Sequence, residues 1–121
     1  MTDRPPTPGL QEIDAATLAR WRSSGEAVLV DVRETHEYEY EHIPGALLMP
    51  LSFLDPDVFP RITEKRLVLV CEVGKRSAAA GKQLLKSGLD NVVNLIGGLD
   101  AWKKAGYETE GARFETDDYV I

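Results

Sequence analysis

The sequence predicts an α/β fold built on a mainly parallel sheet covered on both faces. Short apolar runs alternate with segments of helical spacing along the chain. The runs are continuously apolar rather than alternating, as expected for strands buried on both sides. At 121 residues, the chain has the length of one domain with one core.

Taken in order, Asp14 is placed to cap a helix whose apolar face carries Leu18 and Trp21, ending before Gly25. Ala27-Val28-Leu29-Val30 has buried-strand length and closes at Asp31. Thr35 to Glu41 reads as a short charged helical turn, broken by the turn signal Ile43-Pro44-Gly45. Ala46 to Met49 is a second strand stopped by Pro50, and Ser52 to Arg61 a short irregular helix and loop. Leu67 to Cys71 is the clearest strand, with β-branched residues alternating with leucine. Arg76 to Ser87 is helical, with Ala80 and Leu84 on one face and Gly88 suited to the C′ position. Val92 to Leu95 is the last strand, and Gly97-Gly98 opens a helix carrying Leu99 and Trp102 that ends near Gly106. Residues 1–9, with three prolines, read as a loose lead-in; 10–110 form the domain, and 111–121 are an unassigned acidic tail.

Composition narrows the function. With 14 Lys+Arg against 20 Asp+Glu the net charge is −6, which argues against nucleic acid and against an anionic membrane surface. No apolar run approaches the roughly 20 residues of a membrane helix, and the N-terminus lacks the apolar stretch of a signal peptide. The expected location is the cytoplasm, where a lone thiol stays reduced. One cysteine excludes an internal disulfide framework, and with two histidines it leaves little for a zinc site.

Ligands of open α/β sheets bind beyond the carboxyl ends of the strands. Two strands end there in reactive side chains, one running into Asp31-Val32-Arg33 and the other into Cys71. Cys71 alone is equally a small core residue. Its sequel, Glu72-Val73-Gly74-Lys75-Arg76-Ser77, passes from strand end to helix start in about five residues. Gly74 lets the backbone curl into an anion-binding nest, and the following helix adds its dipole. Lys75 and Arg76 add formal positive charge. A thiol in that field is favoured as thiolate, the nucleophilic form.

These residues resemble the rhodanese (thiosulfate sulfurtransferase) domain family, in its single-domain form, from about Leu10 to Glu110. The shared pieces are Val30-Asp31-Val32-Arg33-Glu34, Glu37-Tyr38, His42-Ile43-Pro44-Gly45-Ala46, the loop Cys71 to Ser77, and Gly97-Gly98-Leu99-Asp100-Ala101-Trp102. The resemblance implies a five-stranded parallel sheet flanked by helices on both faces, and a ping-pong reaction. In that reaction Cys71 takes the sulfane sulfur of a small anionic donor such as thiosulfate. The resulting persulfide is held by amides from Glu72 to Ser77, and cyanide or a thiol, including a thiol-bearing protein, removes the sulfur. It implies no cofactor and no metal.

Other residues read less singly. Asp31 and Arg33 suggest a structural ion pair at the solvent edge of the active face, and Arg76 is expected to brace the loop through Asp31 or Glu37. Lys75 is the candidate contact for an anionic donor. His42 could serve as a base, but the resemblance places it in a structural turn; His36 is expected in solvent, and Trp21 and Trp102 in the core. Two departures stand out from the family pattern. Glu41 replaces a usual glycine and is expected only to adjust a turn. Glu72 follows the nucleophile and leaves the loop one net positive charge instead of two, which weakens the case for thiosulfate as donor.

Rival readings differ in kind. A related cysteine phosphatase or arsenate reductase would carry C-x5-R, whereas Cys71 to Arg76 encloses four residues, a tighter cradle suited to one sulfur atom. A non-catalytic sulfur-carrier or regulatory module would keep the fold without the activity. A redox sensor would need an exposed thiol, and there is no second cysteine to resolve a sulfenic acid.

Overall fold

A computed structural model of the protein describes residues 10–115; the expected lead-in over 1–9 and the last six residues of the tail lie outside them. Five strands form one wholly parallel sheet: β1 (Gln11–Ile13), β2 (Ala27–Asp31), β3 (Leu47–Leu48), β4 (Arg66–Val70) and β5 (Val92–Leu95), in the order β1-β5-β4-β2-β3. Four helices connect them: α1 (Ala15–Ser23), α2 (Thr35–Tyr40), α3 (Lys75–Lys86) and α4 (Gly98–Lys104).

The expected elements are present, with boundary changes that have local causes. Asp14 caps α1, its Oδ1 accepting from Thr17 N at 2.9 Å. The second strand shortens to Leu47–Leu48, although Met49 N and Leu51 N still donate to the carbonyls of Asp31 and Val32 across Pro50. Of the irregular helix expected over Ser52 to Arg61, a single 3-10 turn forms at Leu51–Phe53. Helix α3 starts at Lys75, one residue early, because Gly74 takes the left-handed conformation (φ +96°) and turns the chain directly into the helix. The start of the tail packs on the domain: Ala112–Phe114 form a 3-10 turn, and the Glu110 backbone bridges His42.

Side-chain alternation divides the core between the two faces of the sheet. Val68, Val70, Val93 and Leu95 pack with Leu18 of α1 and with Leu99 and Trp102 of α4. Leu67, Leu69, Val92 and Cys71 pack on the other face with Ala80 and Leu84 of α3. Trp102 is a core residue, its indole N–H donating to Glu108 O at 2.8 Å. Trp21 is partly buried, with the Arg66 guanidinium 4.5 Å over its ring. No helix among the described residues is long and apolar enough to cross a membrane. β4 lies at the centre of the sheet and delivers Cys71 to its carboxyl edge.

Candidate active site

The loop after β4 curls around its own cysteine. Gly74 N donates to Cys71 Sγ at 3.1 Å and Ser77 N at 3.3 Å, while Ser77 Oγ lies 3.4 Å away. Ser77 sits in the first turn of α3, so the sulfur also faces the positive end of that helix. The backbone amides of Val73, Lys75 and Arg76 have no acceptor among the described residues. The thiol is not outside the packing, as a strand-end position suggests. Cys71 is fully buried and belongs to the core cluster under α3. The two readings of this residue, core filler and cradled sulfur, therefore describe the same position.

The end of α4 closes the loop from the other side. Leu99 N donates to Cys71 O at 2.8 Å and Asp100 N to Glu72 O at 3.0 Å. This contact needs Gly98, whose φ is +58°: a Cβ there would clash with the Cys71 carbonyl oxygen and stand 2.7 Å from the carbonyl carbon and oxygen of Glu72. The Gly97-Gly98-Leu99-Asp100 motif thus fits the α4 N-terminus onto the Cys71–Glu72 backbone.

The charged residues are sorted into pairs. Arg76 is braced by Glu37 and not by Asp31, with Nη1 and Nη2 each 2.8 Å from a Glu37 oxygen. Those bonds outweigh burial and hold the Glu37 carboxyl down to about 2. The same pairing raises Arg76 above its ordinary range. Glu37 also accepts from Glu34 N at 3.0 Å, which ties α2 to the brace. Lys75 and Val73 are exposed beside the loop.

Asp31 and Arg33 form a pair, but a buried one rather than a solvent-edge one, with side chains 2% and 3% exposed. Arg33 Nε and Nη2 grip the Asp31 carboxylate at 3.0 and 2.9 Å, Nη2 also donates to Glu41 O at 2.7 Å, and Nη1 reaches Glu72 Oε1 at 3.3 Å. Burial works against the charged guanidinium, yet its bonds to Asp31 and the nearby carboxylates raise it above its ordinary value. Arg33 is thus the link between the end of β2 and the loop residue that follows Cys71.

Glu41 does more than adjust a turn. Its buried carboxylate accepts from Lys103 Nζ at 2.8 Å, Thr109 Oγ1 at 2.6 Å and Arg113 Nη1 at 3.0 Å. A glycine could not gather α4 and the chain after it in this way. Burial opposes the charge, but these three donors keep the Glu41 carboxyl below its ordinary value. His42 is part of the same seam and not of the cysteine site. Its Nδ1 lies 2.6 Å from Tyr38 O, its Nε2 3.0 Å from Glu110 Oε2, and its ring stacks on Tyr38 at 3.9 Å. His36 is exposed.

Sequence reasoning misses Asn94. It is 1% exposed on β5, directly under the loop, with Nδ2 3.2 Å from Gly74 O and Oδ1 2.5 Å from Ser77 Oγ. The available signal is an amide in the otherwise apolar run Val92-Val93-Asn94-Leu95; a buried polar side chain in a sheet needs partners, and the loop supplies them.

Comparison with known proteins agrees with this architecture. The family model described as Rhodanese-like domain matches residues 14–105. An uncharacterized protein of Synechocystis is 43% identical over 93 residues, covering 77% of this chain and 52% of that protein. The putative sulfur carrier protein YrkF of Bacillus subtilis is 32% identical, covering 77% of this chain and 51% of that protein. The probable adenylyltransferase/sulfurtransferase MoeZ of Mycobacterium tuberculosis is 38% identical over 72% of this chain and 23% of its own length. The chain spans about half the length of the first two. Among solved structures, a rhodanese-related protein from Thermoplasma volcanium superposes with a TM-score of 0.73 at 31% identity, covering 83% of this chain and 97% of that one. The solution structure of a rhodanese-like domain from Anabaena gives 0.73 at 28% identity, covering 84% and 80%. With the parallel sheet, the cysteine loop and the match over 14–105 in agreement, the chain belongs to the rhodanese-like domain family.

Proposed function

We propose that this protein is a sulfurtransferase that carries a sulfane sulfur on Cys71, from thiosulfate or a similar donor to a thiol or cyanide. The observation that carries the reading is the position of Cys71 Sγ, buried at the end of the central strand and accepting from Gly74 N and Ser77 N inside a four-residue loop. Names of relatives support it: a putative sulfur carrier protein and a probable adenylyltransferase/sulfurtransferase.

The chemistry proceeds in two displacements. The Cys71 thiolate attacks the outer sulfur of thiosulfate; a new S–S bond forms, the old one breaks, and its electron pair leaves with sulfite. The negative charge now sits on the terminal persulfide sulfur, for which the amides of Val73, Lys75 and Arg76 are available donors. An acceptor thiolate then attacks that sulfur, gains it as a persulfide and returns the electron pair to Cys71. Arg76, locked to Glu37, keeps the loop closed during both steps, and Lys75 offers the donor an unshielded charge at the rim. A carrier that delivers its persulfide to a protein thiol uses the same cradle.

The test is the intact mass of the reduced protein after incubation with thiosulfate, and separately with a low-molecular-weight persulfide. A gain of one sulfur atom, absent in Cys71→Ser and removed by cyanide, supports the reading. A protein that takes up sulfur from neither donor overturns it.

A further inference from the structure

The hydrogen-bond chain beneath the loop contains a proton count that the sulfur-transfer reading does not use. Asn94 Nδ2 has two hydrogens and two neighbours, Glu12 Oε2 at 2.9 Å and Gly74 O at 3.2 Å. A carboxylate and a backbone carbonyl only accept, so the amide cannot be turned over, and Oδ1 faces Ser77. Oδ1 cannot donate either. The 2.5 Å contact between Ser77 Oγ and Asn94 Oδ1 therefore contains the serine proton. A hydroxyl has one proton, so the oxygen that lies 3.4 Å from Cys71 Sγ turns a lone pair toward the sulfur.

That arrangement treats the forms of the sulfur differently. A thiol donates S–H to Ser77 Oγ and completes a chain running from Cys71 through Ser77 and Asn94 to Glu12, with every donor matched to an acceptor. A persulfide has no charge and no proton on Sγ, and leaves the serine–asparagine bond undisturbed. A bare thiolate meets a lone pair, or else draws the serine proton to itself and strands Asn94 Oδ1, in a side chain that is 1% exposed. We infer that Asn94 is a positioning residue that holds the Ser77 hydroxyl proton away from Cys71, so that the site favours the thiol and the persulfide over the free thiolate. The inference rests on the sulfur-carrying reading for its biological sense: an emptied loop is kept protonated, and a loaded one is left intact.

The experiment is a mutant cycle read by the rate of Cys71 alkylation with iodoacetamide between pH 5 and 10, on wild type, Asn94→Leu, Ser77→Ala and the double variant. Asn94→Leu releases the serine proton to the sulfur and is expected to raise the rate at low pH by roughly five- to tenfold. The curves should converge at high pH, where every thiol is ionised and only access differs. The double variant should lose that gain, because the gain passes through Ser77. Asp31, Arg33, Glu37, Glu72, Lys75 and Arg76, the charged groups around the loop, are common to all four proteins and cancel in the cycle, as does Glu12 behind Asn94. An unchanged or slower low-pH rate in Asn94→Leu overturns the inference, as does a gain that survives Ser77→Ala. Asn94→Val, smaller and suited to a strand, carries the same test if leucine disrupts folding. Ser77→Ala alone is an independent check: a tenfold fall in its low-pH rate would mean that the hydroxyl already serves the thiolate, which overturns the inference. Alkylation needs no sulfur donor, so this outcome is separate from the mass gain that tests sulfur transfer.

Discussion

Glu72 Oε1 stands 3.3 Å from Arg33 Nη1, on the side of the loop that faces the end of β2. The carboxylate that follows the cysteine is therefore partly matched by a buried guanidinium already committed to Asp31. Its charge at the donor position is reduced but not removed, since the Glu72 side chain remains 44% exposed. Glu72→Gln is expected to lower the apparent KM for thiosulfate roughly threefold at low ionic strength, with the difference closing as salt is added. Equal KM values for the two proteins at low salt would show that Arg33 masks the charge completely.

Cys71→Ser should abolish sulfur transfer while leaving the domain folded. A serine hydroxyl can occupy the cradle and accept from Gly74 N and Ser77 N, so packing under α3 is nearly conserved. It cannot ionise near neutral pH, so no persulfide forms. Loss of the cooperative thermal transition in this variant would show that the sulfur is needed for the fold.

Arg76 and Glu37 give a prediction with a pH signature. Arg76→Ala should reduce turnover more than Lys75→Ala, because it frees a loop that the bidentate bond holds, whereas Lys75 contributes charge at the rim and should act mainly on KM. The Glu37 carboxyl, at about 2 instead of 4.5, stabilises the fold above its unfolded value, and that contribution fades as pH falls from about 4.5 toward 2. The stability gap between wild type and Arg76→Ala is therefore expected to be full at pH 6 and nearly closed at pH 2. Denaturant titrations across that range measure it, and a gap independent of pH would assign the effect to packing.

Glu41 supports a similar expectation at larger scale. Replacing it by alanine removes the one carboxylate that Lys103, Thr109 and Arg113 share, at a cost of about 2–3 kcal/mol. Because its carboxyl is held below the ordinary value, the protein should lose this contribution only as the solution becomes more acidic than about pH 4.5. Chemical unfolding of Glu41→Ala at neutral pH checks the size, and a loss under 0.5 kcal/mol would demote the cluster to a surface network.

The strands and helices are legible in the sequence because each apolar run is bounded by glycine, proline or a charged residue. β1 is not: Gln11–Ile13 is three residues long with two of them exposed, too short for any periodicity. A fifth strand is expected only by resemblance. At the site, local order is readable, so the loop from Cys71 to Ser77 and the braces Arg33 and Arg76 can be picked out. Long-range partnership cannot. Asn94 lies 17 residues from Ser77 and Glu41 lies 62 from Lys103, and nothing in the local pattern of either marks its partner. The buried state of Asp31 and Arg33 is likewise invisible, because two nearby charges look the same at a surface as under one.

Gly98 supplies a steric prediction. Gly98→Ala should separate α4 from the Cys71–Glu72 backbone and destabilise the protein by at least about 2 kcal/mol, through both the positive φ and the clash. Thermal unfolding, with the alkylation rate of Cys71 as a second readout, tests it. A fully stable Gly98→Ala protein with an unchanged rate would mean that the loop is not held from this side.

The strand order has a consequence for how the protein breathes. β4 has a neighbour on each side, while the two edge strands, β1 and β3, are three and two residues long. Fluctuations that open the sheet should begin at those short margins, so backbone hydrogens of Leu67 to Val70 should exchange last and those near Gln11 and Leu47 first. A loop anchored to the last strand to open keeps its amides aimed at the sulfur through most local unfolding. Margins this short also give a second copy little strand to pair with, which lowers the tendency to assemble edge to edge.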